Sequence, residues 1–362
     1  MIRLLSTHTV PAIAAALVLG AVQSSASAEF KLTGANILAE NFVQSGVVLK
    51  EWAQRVADKS GGRIETTIVH GGALLDQGDH LDGLSTGVAD FATFFPFYFP
   101  GEFKVEGTMT NVIDIWSDEV PDLTGVAVIH AKLHSEFEEF EAEYDQRNIK
   151  MLLPVPAEPY VIACTEEVPN LASLQGRKMR SVGKYLPILQ AGLGTQTFTV
   201  SIAEAYQALS TGMIDCLYTT PGWIYSDKVF EVAPHLLIPG TEKARPQLLA
   251  TGVVAMNAAS FENLPVDLRE SIEEVSAEMV DYVGQAMEKA YQDSVDGIVK
   301  EGKGTIHYMT EADRNIWADR TDNQLERAAS DLTTAGYPGE AIIARYKEIA
   351  AAYRSGDLRA GN

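Results

Sequence analysis

The sequence predicts an α/β protein of two lobes that face each other like a clamshell, with a long helix spanning both lobes. Three observations predict this class. Strands and helices alternate in two separate stretches of the chain. A seven-residue pattern occurs once in each stretch, as LSTGVAD at residues 84–90 and as LSTGMID at residues 209–215. A long segment with one apolar stripe then follows at residues 266–302.

The first stretch reads strand, helix, strand, helix, strand. Residues 30–36 are typical of a strand, and residues 42–62 carry apolar side chains on one helical face. Residues 63–72 alternate as a strand does, residues 75–87 form a short helix, and residues 88–97 are apolar enough for a buried strand. This order indicates a parallel sheet with helices packed on it.

The second stretch repeats the alternation. We expect the helix that carries LSTGMID to begin at Ser201, because Glu204 three residues later completes a capping box. Helices are predicted at residues 184–194 and 201–212, and strands at residues 161–168, 178–182, 195–200 and 213–221.

The two copies of the repeated pattern predict equivalent joints between a helix and a strand. Gly87 and Gly212 stand just past the last helical turn, where a left-handed residue is needed. We expect Asp90 and Asp215 to accept backbone N–H groups near the sheet edge. A duplicated joint implies two lobes, and ligands of open α/β sheets bind outside the carboxyl ends of the strands.

The long segment defines how the lobes share the chain. Its apolar residues from Leu268 to Met287 recur every three or four positions, and a helix of this length would measure ~50 Å. We expect lobe 1 to comprise residues 29–157 and about 246–285. Lobe 2 is expected to comprise residues 158–245 and about 286–362, including the C-terminal helices.

Residues 1–28 have the features of a secretory signal peptide. Arg3 precedes an apolar run at residues 10–22, and Ala26-Ser27-Ala28 fits a cleavage site. No later segment is apolar for the ~20 residues that a membrane span needs. The net charge of −21 argues against nucleic acid and anionic membranes as partners. We therefore expect a mature chain in the periplasm.

Cys164 and Cys216 are the only cysteines. Two buried thiols are the more ordinary interpretation, although an exported protein also permits a disulfide. The sequence does not decide between them, because it does not place the two Cα atoms.

Two motifs in the second stretch resemble those of the solute-binding proteins of TRAP transporters, the tripartite ATP-independent periplasmic family. The first is Gly176-Arg177-Lys178-Met179-Arg180. The second runs from Glu204-Ala205-Tyr206-Gln207-Ala208-Leu209 through Gly212 to Asp215. The upstream GVADFATFFPFYFPGEF is similar to the first-lobe signature of that family. The resemblance implies a periplasmic-binding-protein-like clamshell that captures an organic acid and delivers it to membrane subunits.

The resemblance implies that Arg180 pairs with the carboxylate of the ligand. A guanidinium offers a planar fork of donors that matches a carboxylate. Thr220-Pro221 stands where the family often has Asn-Pro, and Cys216 replaces a glycine. Tyr160 stands where some members carry a second arginine. The departures at Cys216 and Thr220 argue against polar substrates such as sialic acid, and Tyr160 favours a ligand with a single carboxylate.

Aromatic residues predict an apolar wall beside Arg180. Most rings of residues 94–99 belong to a strand core, but Phe94 and Phe95 are candidates to face the cleft. Tyr218 and Trp223 follow the second copy of the repeat and are further candidates, and Asn36 at the end of the first strand is a candidate polar contact. A small aromatic or largely apolar monocarboxylate fits this set.

Three alternatives remain open at this stage. An aromatic cage would suit a zwitterionic or cationic solute, and a sensor-coupled binding protein would share the same fold. A secreted enzyme is the third, but no nucleophile motif or dinucleotide fingerprint occurs, and no cofactor is predicted. His130 and His134 have metal-ligand spacing without the glutamate of His-Glu-x-x-His, so solvated histidines on a surface helix are the simpler interpretation.

Overall fold

A computed structural model of the chain describes residues 28–112, 115–116, 122–240, 246–247, 252–321 and 324–359. The proposed signal peptide therefore lies almost wholly outside the described residues. The strands are β1 Phe30–Ala35, β2 Ile64–Val69, β3 Phe91–Phe94, β4 Ile115–Trp116, β5 Ile149–Val155, β6 Val161–Cys164, β7 Lys178–Ser181, β8 Gln196–Thr199, β9 Cys216–Thr219, β10 His235–Ile238, β11 Pro246–Gln247, β12 Gly252–Asn257 and β13 Ile306–Tyr308.

The α-helices connect and cover these strands. They are α1 Val48–Lys59, α2 His80–Ser85, α3 Val105–Met109, α4 Leu123–Glu136, α5 Glu138–Asp145, α6 Tyr185–Gly192, α7 Ala205–Ser210, α8 Pro221–Ser226, α9 Ala258–Glu262, α10 Val266–Glu301, α11 Glu311–Thr321, α12 Gln324–Thr334 and α13 Gly339–Ser355.

Two mixed sheets form the two lobes. The sheet of lobe 1 has the order β2-β1-β3-β12-β5, in which the first three strands are parallel and β12 is antiparallel to both of its neighbours. The sheet of lobe 2 has the order β13-β10-β6-β9-β7-β8, and β7 is parallel to β8 and β9. The predicted α/β class with two lobes is confirmed.

The repeated heptapeptide forms the same joint in both lobes. Gly87 and Gly212 adopt left-handed φ angles of 77° and 71°. The carboxylate of Asp90 accepts the N–H of Thr33 at 2.7 Å, and that of Asp215 accepts the N–H of Lys178 at 2.8 Å. Each aspartate thus fixes its strand to the neighbouring strand, as the sequence predicts.

Helix α10 runs along both lobes. Its 36 residues correspond to about 54 Å. It packs against α1, α4 and β5 in lobe 1 and against α8 in lobe 2. The predicted stripe lies in the core, since Leu268, Ile272 and Met279 are buried together with the other stripe residues. The long helix spanning both lobes is therefore confirmed.

The C-terminal elements contact both lobes. Strand β13 pairs with β10 and α11 contacts α6, both in lobe 2, whereas α12 contacts α3 and α13 contacts α4 of lobe 1. Leu332 and Tyr346 from these helices share one apolar core with Val126 of α4. The physical reason is that α12 and α13 bury their apolar side chains in this shared core.

Two predicted boundaries shift. Strand β3 ends at Phe94, because Pro96 cannot donate to the ladder and begins a 3₁₀ turn over Pro96–Tyr98. Helix α7 begins at Ala205 and not just after Ser201. Glu204 is the N-cap of α7, and the hydroxyl of Ser201 donates to the carboxylate of Glu204 at 2.6 Å.

Cys164 and Cys216 form a disulfide. They are directly opposite one another on the antiparallel strands β6 and β9, with Cα atoms 4.1 Å apart. The interpretation as two buried thiols is therefore replaced by a cross-strand bond in the sheet of lobe 2. The sheet pairing brings the two residues into bonding range, which the sequence did not reveal.

Candidate functional site

A cavity lies between the two lobes near the ends of β3, β7 and β9. Its volume is about 30 Å³, and side chains of both lobes line it. Lobe 1 contributes Leu38, Phe42, Gln44, Phe95, Phe97 and Tyr98, and lobe 2 contributes Tyr160, Arg180, Val182, Ile202, Thr219, Thr220 and Trp223. The position agrees with the rule that ligands bind outside the strand ends of open α/β sheets.

Arg180 supplies the only charge among the described lining residues. Its side chain is 4% exposed. The Nε atom donates to the carbonyl of Val200 at 2.8 Å, which orients the guanidinium. The Nη2 atom is buried and has no hydrogen-bond partner among the residues that the structure describes. One edge of the fork therefore stays available inside the cavity.

The main chain of Arg180 is also fixed. Arg180 lies in β7 opposite Phe198 of β8, and its carbonyl accepts the side-chain N–H of the buried Gln190 at 2.9 Å. The strand pairing and this bond leave the side chain of Arg180 little freedom to leave the cavity.

Thr220 and Trp223 reach the cavity from the start of α8. Strand β9 ends at Thr219, and Thr220 is the N-cap of the helix, with its hydroxyl accepting the N–H of Trp223 at 3.4 Å. Pro221 occupies the first helical position, where its missing N–H costs nothing. This turn holds Trp223, 3% exposed, against the cavity.

Tyr160 lies where the chain crosses from lobe 1 to lobe 2. Its ring packs edge-to-face on Tyr218, with the ring centroids 5.3 Å apart. Burial raises the pKa of Tyr160 well above its usual range, and nearby Tyr98 adds to the shift while Arg180 opposes it. The hydroxyl is therefore neutral and can donate a hydrogen bond into the cavity.

The aromatic run of residues 94–99 divides between the cavity and the core. Phe95, Phe97 and Tyr98 line the cavity. Phe94 does not, because its fully buried ring packs against Phe99 and Phe103 inside lobe 1, at 5.4 and 5.2 Å between centroids. Alternation along β3 turns the two neighbouring rings to opposite sides.

Tyr218 and Asn36 also lie outside the set of lining residues. Tyr218 packs between Tyr160 and Trp317 in the core of lobe 2. Asn36 makes two hydrogen bonds to the backbone of Leu38 and one to His70. Asn36 therefore shapes the turn that presents Leu38 to the cavity. Of the eight predicted site residues, Arg180, Tyr160, Thr220, Phe95 and Trp223 line one cavity.

Gln44 is a lining residue that the sequence analysis missed. It lies in a π-helical turn, Val43–Val47, that precedes α1. Its amide donates to the carbonyls of Val155 and Pro156 in the crossing between the lobes. The sequence predicts an uninterrupted α-helix there, and nothing in the pattern marks a π turn, so no signal pointed to Gln44.

The two histidines of α4 differ in exposure. His130 is fully buried and lies 2.8 Å from the carboxylate of Glu106, whereas His134 is half-buried, and desolvation lowers the pKa of His134 to about 4. The expectation of solvated histidines is wrong for His130, because α4 is covered by α10 and α13. Within the described ranges, no group of three or more histidine, cysteine or acidic residues is arranged to hold a metal ion.

Two lobes with a lined cavity between them define a binding protein of the clamshell class. The family model "Bacterial extracellular solute-binding protein, family 7" matches residues 34–331. The chain belongs to this family. A curated relative is the C4-dicarboxylate-binding periplasmic protein DctP of Rhodobacter capsulatus, 26% identical over 165 residues, which are 44% of this chain and 48% of that protein. The chain thus aligns with about half the length of that relative.

Solved structures of TRAP solute-binding proteins share the fold. One from an unidentified marine microbe, specific for aromatic acid ligands and bound to metahydroxyphenylacetate, gives a TM-score of 0.80 at 18% identity, covering 90% of this chain and 99% of the other. One from Rhodoferax ferrireducens T118, with copurified benzoate, gives a TM-score of 0.78 at 19% identity, covering 91% of this chain and 99% of the other. The resemblance to TRAP solute-binding proteins is confirmed.

The matched family consists of extracellular solute-binding proteins, so this chain is a binding protein and not an enzyme. In the described part of the chain, no helix has the length and apolar character to cross a membrane.

Proposed function

We propose that this chain captures a small organic monocarboxylate between its lobes and presents it to the membrane subunits of a TRAP transporter. The observation that carries the proposal is the buried, partly unpaired guanidinium of Arg180 in an otherwise uncharged cavity. Export by the signal peptide at residues 1–28 would bring the chain to the periplasm, where such solutes arrive.

The charge balance of the cavity supports a carboxylate ligand. A buried cation without a counter-charge costs several kcal/mol. A carboxylate pairing with Nη2 of Arg180 would remove that cost, and each charge-assisted hydrogen bond adds ~1.5–3 kcal/mol. A cationic solute would instead face Arg180 without a described acidic side chain in the lining. The aromatic-cage alternative is therefore disfavoured.

The lining also supports a single carboxylate on an apolar body. Phe42, Phe95 and Trp223 supply aromatic area, and the hydroxyls of Tyr160 and Thr220 offer few further polar contacts. A dicarboxylate, as in the name of the Rhodobacter relative, would bring a second charge that no described lining residue matches. Benzoate and hydroxyphenylacetate, bound by proteins of the same fold, have the required chemistry.

A thermal-shift screen with purified protein tests the ligand class. Benzoate, 3-hydroxybenzoate, pyroglutamate, succinate, neutral sugars and divalent metal ions are the probes. An acid at 100 times its Kd stabilises the folded chain by ~2.7 kcal/mol. We expect the aromatic monocarboxylates to raise the Tm most. A response to sugars or metal ions alone would contradict the proposed class.

Arg180→Ala tests the anchor. Loss of a buried charged partner costs at least ~2 kcal/mol, so affinity for the best acid should fall ~30-fold or more by calorimetry. The matched control is Arg177→Ala, since Arg177 belongs to the same motif but donates to the carbonyls of Ser173 and Glu167 outside the cavity. An Arg180→Ala variant with unchanged affinity would remove the anchor from the proposal.

A further inference from the structure

Glu158 is a buried acid in the first crossing between the lobes. It lies between the end of β5 at Val155 and the start of β6 at Val161, and its side chain has no exposed surface. Tyr160, two residues later, lines the cavity. The carboxyl group of Glu158 is thus close in sequence to the cavity lining but is not part of it.

The carboxyl group of Glu158 contacts the first turn of α8. Its Oε2 atom accepts the backbone N–H of Gly222 at 2.5 Å. A Cβ atom added to Gly222 would lie only 2.1 Å from Oε1, so glycine is what permits the close approach. Gly222 sits between Thr220 and Trp223, both of which line the cavity. One hydrogen bond therefore connects the crossing to the turn that carries two site residues.

The surroundings of Glu158 favour its neutral form. Burial raises the pKa of Glu158 to about 8, against the opposing hydrogen bond from Gly222. Oε1 meets no donor or acceptor among the described residues. Titratable groups near this segment include Tyr160 beside it, Tyr98 and Arg180 in the cavity, Tyr225 and Asp227 on and just after α8, and Tyr291 and Glu301 of α10, which packs on α8. None of them contributes to the shift.

We propose that Glu158 is a positioning residue, which in its protonated form holds the first turn of α8, and with it Thr220 and Trp223, in the geometry that binds ligand. The inference extends the proposed function, because it concerns the same cavity. The geometry that binds ligand would then depend on the proton of Glu158, whose carboxyl group lies outside the cavity lining.

Ionisation of Glu158 would disturb this geometry. A buried carboxylate needs several donors, and the N–H of Gly222 is the single one that reaches it among the described residues. The charged side chain would therefore draw towards water and pull on the first turn of α8. If only the protonated form binds, affinity falls about fivefold over the first pH unit above the pKa and about tenfold for each further unit.

Fluorine NMR of Trp223 tests the proposal without any ligand. The protein is labelled with 5-fluorotryptophan, which gives four signals, and Trp223→Phe assigns one of them. We expect the Trp223 signal of the wild type to shift with a midpoint near pH 8. In Glu158→Gln, a neutral mimic of the protonated acid, the signal should stay constant over that range. A Trp223 signal that does not titrate, or that titrates equally in Glu158→Gln, overturns the proposal.

The matched control is Asp227→Asn. Asp227 is an exposed carboxyl group just after α8, and partial desolvation by the neighbouring chain raises the pKa of Asp227 as well. We expect this variant to keep the wild-type titration of Trp223. If Asp227→Asn abolishes the titration, the proton resides on Asp227 and the assignment to Glu158 fails.

A binding measurement separates this inference from the proposed function. With benzoate as the probe, wild-type affinity should fall about fivefold between pH 8 and pH 9, while Glu158→Gln should hold its affinity. A titrating Trp223 signal without benzoate binding at any pH would retain the positioning role and count against the ligand class. Equal pH dependence in both proteins would overturn the positioning role alone.

Discussion

Asp90 and Asp215 make equivalent hydrogen bonds in the two lobes. Each carboxylate accepts the N–H of the neighbouring strand, while the N–H of each aspartate donates to the carbonyl of the same partner residue, Thr33 or Lys178, at 2.7 Å. A charge-assisted bond of this kind is worth ~1.5–3 kcal/mol. The aspartate therefore sets the register of the strand that leads to the cavity in each lobe.

His80 gives a pH prediction at the scale of one residue. Burial lowers the pKa of His80 to about 4 from 6.5, so the folded chain holds the ring neutral where the unfolded chain protonates it. Stability is thus full above pH 6.5 and falls as the pH drops towards 4, by up to ~3 kcal/mol for this group. His80→Gln should remove that part of the acid sensitivity in urea unfolding at pH 7 and pH 4.5.

His307→Gln is the control for this measurement. His307 lies at the surface beside Glu167, where the ring is partly exposed. We expect its replacement to leave the difference in stability between the two pH values nearly unchanged. If His80→Gln behaves like His307→Gln, the buried neutral ring is not a source of acid sensitivity.

The packing of α10 on α4 is a property of two elements. Gly284 in α10 faces Thr124 at the start of α4, and an added Cβ would lie 2.5 Å from the backbone nitrogen of Thr124. Moving the backbone of α4 away would disturb the packing of the helix. Gly284→Ala should therefore lower the free energy of unfolding by ~1–3 kcal/mol. Urea unfolding measures the change.

Gly297→Ala is the matched substitution in the same helix. An added Cβ there would meet the ring of Tyr225, at 2.6 Å, and a side chain can rotate away. We therefore expect Gly297→Ala to lower the free energy of unfolding less than Gly284→Ala does. An equal loss in the two variants would show that the backbone contact at Gly284 does not limit the approach of α10 and α4.

At the scale of the whole molecule, the proposed ligand class predicts a movement of the lobes. About 30 Å³ accommodates about two water molecules, which is too small for benzoate. We therefore propose that such a ligand enters with the lobes apart and then contacts residues of both. A ligand that binds the closed form preferentially would shift the population towards closure.

Small-angle X-ray scattering tests this movement. A saturating acid, chosen as the one that gives the largest thermal shift, should decrease the radius of gyration of the wild type. Arg180→Ala at the same concentration should keep the radius of the ligand-free protein. An unchanged radius in the saturated wild type would contradict closure about the cavity.

The sequence alone determined the elements and their duplication. Apolar periodicity predicts α10, and the left-handed position required at Gly87 and Gly212 marks both joints, because these signals depend on nearby residues. The sequence also pointed to Arg180 in β7 as a candidate ligand contact. The motif around Arg180 and the preference of guanidinium for carboxylate can both be recognised without the fold.

Only the tertiary structure decided which side chains share the cavity. Tyr218 and Thr219 are neighbours in β9, and the sequence does not show which of them lines the cavity. In the structure the side chains alternate along the strand, so Tyr218 packs in the core and Thr219 lines the cavity. The disulfide and the hydrogen bond of Glu158 to Gly222 also join residues 52 and 64 positions apart. Such pairings depend on how the sheets and the crossing assemble, which no local pattern encodes.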